Sequence, residues 1–294
     1  MDPPPSSKSR VLKYSHLLPP TYTKTITSWL AEDCPSFDYG GFVAGEEIRE
    51  ATLWCKSPGV LAGVPFFDEV FGQLGCSVWW RFEEGEFIGE ATQDNVSSQA
   101  KVKVRAATVR GPARKILLGE RVALNTLARC SGIATASHTF LKKARQAGYQ
   151  GIVAGTRKTT PGFRIVEKYA MLVGGVDMHR YNLSSMIMLK DNHIRSTGSI
   201  TAAVAAARAC GGFSLRVDVE VQSEDEARQA IKAGADVIML DNLEGGELVD
   251  VARRLKKELH ASSGMPGGKE FLLESSGGID LNNVTSGGHL DDGG

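Results

Sequence analysis

The sequence contains no apolar run long enough to span a bilayer. Its first residues, Met1 to Arg10, hold Pro, Ser and Lys where a secretory leader needs an apolar stretch. Net charge is also missing: Lys+Arg and Asp+Glu number 34 each. That balance gives no general attraction to nucleic acid or to an anionic membrane, and neither is expected as a partner. A site for anions would have to concentrate its cations locally. CxxC spacing is absent among Cys34, Cys55, Cys76, Cys130 and Cys210, and no His or Cys stands at metal-ligand spacing near them. They read as reduced, mostly buried small residues. No GxGxxG follows a strand-like run, so a dinucleotide fingerprint is lacking. These absences point to a soluble cytoplasmic chain, with the nucleus reachable by passive or directed entry.

What is present is enough apolar sequence for a proper core. Of 294 residues, 42% are hydrophobic and 23% charged, which allows about two domains at ~150 residues each. Residues 1–20 read as a disordered lead-in. Thr21 to Asp33 has helical spacing, with Ile26, Trp29 and Leu30 on one face. From Ala51 to Thr108 the pattern is strand-like: Ala51–Cys55, Ser77–Phe82 and Lys101–Val109, with a helix at Pro65–Leu74. Gly119 to Ala147 is helical, apolar on one face, and looks like a bridge between two parts. After Gly151 short apolar strands alternate with amphipathic helices. Strands are expected at Gly151–Ala154, Ser185–Leu189, Leu215–Val221, Asp236–Leu240 and Glu270–Leu273, with helices at Ile200–Cys210 and Ser223–Ala233. Such alternation implies a parallel sheet or barrel, whose chemistry sits at the carboxyl ends of the strands.

Those strand ends carry Arg157 and Lys158, then Lys190, Glu220, Asp241, and finally Ser276-Gly277-Gly278, with His179-Arg180 between the first two. Converging cations in a neutral chain suit a polyanionic substrate, because the planar Arg fork binds carboxylates and phosphates bidentately. Two carboxylates at adjacent strand ends suit Mg²⁺, a hard ion that prefers oxygen. Gly277-Gly278 after a strand can offer backbone N–H groups to a phosphate. Each residue alone reads as solvated surface charge, a helix cap or a structural histidine. Strand alternation in Val217-Asp218-Val219-Glu220-Val221 sets both acids on one face, and an inward carboxylate needs a partner or a metal. A strand-end lysine also leaves Schiff-base chemistry at Lys190 open.

The longer motifs resemble one family. GERVALNTLARCSGIA (Gly119–Ala134), GTRKTTPGFR (Gly155–Arg164), HRYNL (His179–Leu183) and KDNH (Lys190–His193) are similar to quinolinate phosphoribosyltransferase. KSPGVLAGVPFFDEVF (Lys56–Phe71), VDVEV, LDN and ESSGGI extend the likeness from about Asp33 to Asn282. The resemblance implies an N-terminal open-faced α/β sandwich followed by an α/β barrel, and assembly as a homodimer or dimer-based hexamer with shared active sites. It implies transfer of phosphoribosyl from 5-phosphoribosyl 1-diphosphate to quinolinate with decarboxylation, giving nicotinate mononucleotide for NAD biosynthesis. Lys158, Lys190, Glu220 and Asp241 would be catalytic. Arg157, Lys158, His179, Arg180 and Lys190 would line a basic substrate pocket. Glu220 and Asp241 would face the ribose and Mg²⁺, directly or through the substrate. Arg121 would reach a neighbouring subunit's pocket, and Ser276, Gly277 and Gly278 would hold the 5′-phosphate.

Domains are thus expected at 21–130 (sandwich) and 131–284 (barrel), with a polar tail at 285–294. Ser262 to Lys269 reads as a loop insertion. Thr285 to Gly294, rich in Gly and Asp, will not form a core strand. An incomplete TIM-like barrel is therefore expected. The competing expectation is a truncated, weakly active or inactive homologue that binds a ligand or other subunits.

Overall fold

The computed structural model describes residues 13–89, 103–241, 243, 245–262 and 270–284. The chain divides into two units, residues 1–138 with 158–178, and residues 139–157 with 179–294.

The first unit opens with a 3-10 turn at Tyr14–Leu17 and helix α1, Tyr22–Asp33. Tyr14 and Leu18 pack on the core, so ordered chain begins inside the expected lead-in. Residues 1–12 lie outside the described residues. Ile26 of α1 is fully buried, and Trp29 and Leu30 pack beside it, as their i, i+3, i+4 spacing requires. Next come α2 (Tyr39–Ala44), β1 (Ile48–Cys55), β2 (Gly59–Val60), α3 (Val64–Gln73), β3 (Ser77–Trp80) and β4 (Phe87–Ile88). β5 (Val104–Pro112), α4 (Ala113–Gln146) and α5 (Arg164–Val173) follow. The expected start of β5 at Lys101 falls outside the described residues. β1, β5 and β3 pair antiparallel in that order, and β2 pairs with β4.

One face of this small sheet is covered by a stripe on α4 (Ile116, Ala123, Leu127, Cys130, Ala134) and by the aromatic face of α3. α5 joins the same cluster through Val166, Tyr169 and Ala170; the Tyr169 ring meets Phe66 edge-on at 5.4 Å. That burial is why 158–178 packs with the first unit.

Glu84 sits at the start of α3 and accepts the Gly63 and Val64 N–H groups at 2.7 and 3.0 Å. Burial pushes its carboxyl up to about 7, against the pull of those two amides. A raised carboxyl contributes stability that is fully present below its unfolded value, near 4.5, and is lost as pH rises through about 7. Glu84→Gln has no such titration. The stability of the natural chain relative to this variant should therefore fall by ~2 kcal/mol between pH 5 and pH 8. Urea unfolding midpoints at the two pH values check this; an equal gap at both would refute it.

The second unit holds β6 (Ile187–Leu189), α6 (Asp191–Thr197), α7 (Ile200–Gly211), β7 (Val217–Val221), α8 (Glu224–Ala233), β8 (Val237–Asp241), α9 (Gly245–Ser262) and β9 (Leu272–Ser276). The strands form a parallel sheet in the order β6-β7-β8-β9. Helices α7 and α8 start at Ser199 and Ser223, whose hydroxyls accept the N–H three residues on. The strand expected at Gly151–Ala154 is not formed: Ala154 makes an isolated bridge and Ile152 is exposed. Arg145 takes the Tyr149 and Gly151 carbonyls instead. The chain is therefore α/β, with an antiparallel sheet unit and a parallel-strand unit. The expected tail at 285–294 and most of the loop at 262–269 lie outside the described residues.

Candidate active site

The parallel sheet sorts its residues by parity. Ile187, Leu189, Val217, Val219, Val221, Ile238, Leu240 and Leu273 pack with the helices in one apolar cluster. Alternation sends their neighbours to the other face. Register then sets Met188 beside Asp218, Glu220 beside Met239, Met239 beside Glu274, and Asp241 beside Ser276. The polar residues of four strands thus share one face and rise toward one end.

At that end Lys190 leaves β6 and caps α6. Its N–H is accepted by His193 Nδ1 at 3.0 Å, and its carbonyl accepts the His193 N–H at 2.8 Å. This turn aims the Lys190 side chain across β7, where its ammonium makes a close ion pair with Glu220. Burial raises the Asp241 carboxyl, the Glu220 charge raises it further, and Lys190 opposes both. Lys190, Glu220 and Asp241 form one coupled group, as their positions at successive strand ends imply. Glu220 and Asp241 offer only oxygen donors, a set that fits Mg²⁺.

A second cluster lies deeper on the same face. His179 is the one non-glycine residue with positive φ (56°) among the described residues, a conformation that histidine tolerates better than most residues. Its Nε2 meets Glu274 Oε2 at 3.1 Å, and its Nδ1 accepts the Arg180 N–H at 2.7 Å. Asp218 is fully buried, and neither carboxylate oxygen has a hydrogen-bond partner among the described residues. Burial first, then the Glu274 charge, pushes it up to about 7, while Arg180 works against the rise. Arg180 is itself lowered by burial and by Arg157, while Asp218 and Glu274 oppose that shift. Arg157 and Arg180 are thus close enough to repel.

Asp218 and Glu274 are not among the residues picked out from the sequence. The signal for both was parity: each stands two residues before a selected one, Glu220 and Ser276, on the same face. Beyond β9, Gly277 and Gly278 both have positive φ (104° and 64°), a path that glycine follows without strain. The Asp241–Ser276 register places this turn beside the Lys190 group. Lys158 and Arg121 belong to the first unit. Lys158 is exposed. Arg121 projects from α4, 62% exposed, with Glu120 at 3.7 Å.

The family model described as the quinolinate phosphoribosyl transferase N-terminal domain matches residues 26–131, and its C-terminal counterpart matches 133–291. The carboxylating nicotinate-nucleotide pyrophosphorylase of Homo sapiens is 49% identical over 278 residues, 94% of this chain and 86% of that protein. That of Dictyostelium discoideum is 45% identical over 276 residues, 91% of this chain and 88% of that protein. The solved nicotinate-nucleotide pyrophosphorylase of Francisella tularensis is similar with a TM-score of 0.76 at 30% identity, over 94% of this chain and 88% of that one.

Proposed function

The chain belongs to the quinolinate phosphoribosyl transferase family, and from that premise we propose how its residues divide the work. It is a decarboxylating phosphoribosyltransferase of pyridine nucleotide biosynthesis, taking quinolinate and 5-phosphoribosyl 1-diphosphate to nicotinate mononucleotide, CO₂ and diphosphate. The observation that carries the reading is the polar end of the parallel sheet: the Lys190–Glu220–Asp241 group, Ser276 in register with Asp241 ahead of the Gly277-Gly278 turn, and Arg180 within the influence of Asp218, Glu274 and Arg157.

Arg157 and Arg180 bind the quinolinate carboxylates, since planar guanidinium forks match carboxylate geometry. Lys158, adjacent to Arg157 in the chain, keeps the substrate-binding role that the family resemblance implies. Ser276, Gly277 and Gly278 hold the 5′-phosphate through backbone N–H groups. The pyridine nitrogen attacks the anomeric carbon as its bond to diphosphate breaks. Glu220 and Asp241 face the ribose, where their charge tolerates the oxocarbenium-like character of the carbon. Lys190 stabilises negative charge gathering on the leaving oxygens. Glu220 and Asp241 would hold Mg²⁺, directly or through the substrate, and the ion would supply charge neutralisation at the leaving diphosphate. The pyridinium nitrogen then stabilises the electron pair left on the adjacent ring carbon as CO₂ departs, and that carbon takes a proton from solvent to give the product. No protein nucleophile is required.

All five cysteines are free, which supports a reducing, cytoplasmic setting. No helix among the described residues is long and apolar enough to cross a membrane.

The direct test mixes the purified chain with quinolinate, phosphoribosyl diphosphate and Mg²⁺. Nicotinate mononucleotide should form with one CO₂ each, stop with EDTA and resume with added Mg²⁺. A folded chain that yields no product would overturn the reading. Arg157→Ala should raise KM for quinolinate by ~10- to 100-fold, the worth of a charged hydrogen-bonded contact, with little change in kcat. An unchanged quinolinate KM would remove Arg157 from the binding site.

A further inference from the structure

We propose that Glu274 is a positioning residue, acting through a neutral His179 ring to hold Arg180 in place. This rests on the reading of Arg180 as a quinolinate ligand. A backbone N–H is always a donor. Because the Arg180 N–H lies 2.7 Å from His179 Nδ1, that nitrogen carries a lone pair and no proton. The proton of the ring is therefore on Nε2, which donates to Glu274 at 3.1 Å. Both ring nitrogens are committed within the chain, and the side chain is only 14% exposed. His179 is thus a rigid link between Glu274 and the Arg180 backbone.

The link has two ends. One is the left-handed backbone at His179, φ 56°, which the ring clamps by accepting the next N–H. Left-handed backbone at a non-glycine residue persists only where its surroundings over-determine it. The other end is β9, whose next turn is Ser276-Gly277-Gly278. Glu274 therefore ties the turn proposed for the 5′-phosphate to the loop that presents Arg180.

A divalent cation is the competing occupant. Ligand atoms of His179, Asp218 and Glu274 lie within 4.8 Å of one another, a separation that one ion could bridge. The proton on Nε2 argues against it, since a protonated ring nitrogen has no lone pair to give. The neighbouring Arg157 and Arg180 charges weigh the same way. The groups shown beside the ring are Glu274 from β9, Asp218 from β7 and the Arg180 backbone N–H. A Gln at 274 keeps an oxygen for the Nε2 proton and turns its NH₂ toward Asp218.

The experiment reads ¹⁵N chemical shifts of the histidine rings in the labelled full chain, with His179 assigned through His179→Asn. The expected spectrum is a neutral ring protonated at Nε2, unchanged on adding Zn²⁺ or Mn²⁺. An imidazolium, or a metal-bound Nε2, would overturn the proposal. Kinetics supply an independent arm. Glu274→Gln should stay within ~3-fold of the natural chain, while Glu274→Leu should raise the quinolinate KM ~10- to 100-fold, the scale seen when an orienting partner is lost. Equal losses in both variants would mean that the charge of Glu274 matters, not its acceptor oxygen. The NMR arm needs no activity, so it decides the link even for a chain that fails the transferase assay or a leucine variant that fails to fold.

Discussion

Lys190→Met is expected to lower kcat by ~10²- to 10³-fold, the range for removing one preorganised group aimed at developing charge. The reason lies in the company the side chain keeps. Its ammonium is paired with Glu220, and both bear on Asp241. With Lys190 gone, two carboxylates face each other and face an incoming diphosphate without a balancing charge. The loss should therefore exceed that of an isolated cation, and part of it should come back when Glu220 is neutralised too. Lys190→Met/Glu220→Gln is expected to be less impaired than the sum of its single variants. Steady-state kinetics at saturating Mg²⁺ measure all three. A fall in kcat under tenfold would reduce the ion pair to a structural contact. The same residue tests the Schiff-base alternative: borohydride with a carbonyl substrate should leave Lys190 unmodified, and an adduct there would replace the mechanism proposed above.

Arg121→Ala and Lys190→Ala chains, each inactive alone, should regain activity when unfolded together and refolded. The expectation follows from the exposure of Arg121 and its surroundings. Arg121 lies one turn along α4 from Leu117, which is 54% exposed and lines an open cleft with Phe37 and Tyr39. Nearby α2 presents Phe42 and Val43 at 87% and 84% exposure. Exposed apolar side chains grouped on neighbouring elements are where a second copy is expected to dock. A second copy that covers it would bring Arg121 toward a neighbouring site. Random pairing of equal amounts gives one intact site in half of the dimers, about a quarter of the natural number of sites. Activity near that level supports a shared site; mixed chains no more active than either parent would sink it. Phe42→Asp should shift the chain to a smaller species in sedimentation, with Arg121-dependent activity lost in parallel.

Much of the site was legible from residue order because strands impose parity. Once Val217, Val219 and Val221 are read as one face, Glu220 must lie on the other, and the same holds for the residues that precede Lys190, Asp241 and Gly277. Helix spacing gave α1 its inward face for the same reason. The return of the chain to its first core was less legible. Residues 158–178 return to the first core because Tyr169 and Val166 fill space against Phe66 and Cys130, and packing of that kind leaves no periodic trace.

By itself the sequence determined the alternation of strands and helices and the composition of the strand ends, since these depend on local order and side-chain chemistry. Only the tertiary structure decided that Glu274 meets His179, 95 positions away. Parallel register across three strands sets Glu274 level with Glu220, on the face that also carries Asp218, and a left-handed backbone at His179 turns the ring onto it. Neither register between strands nor the sign of φ at a histidine is written in the periodicity of a chain, so the partners that set a charge or a tautomer appear only once the strands are paired.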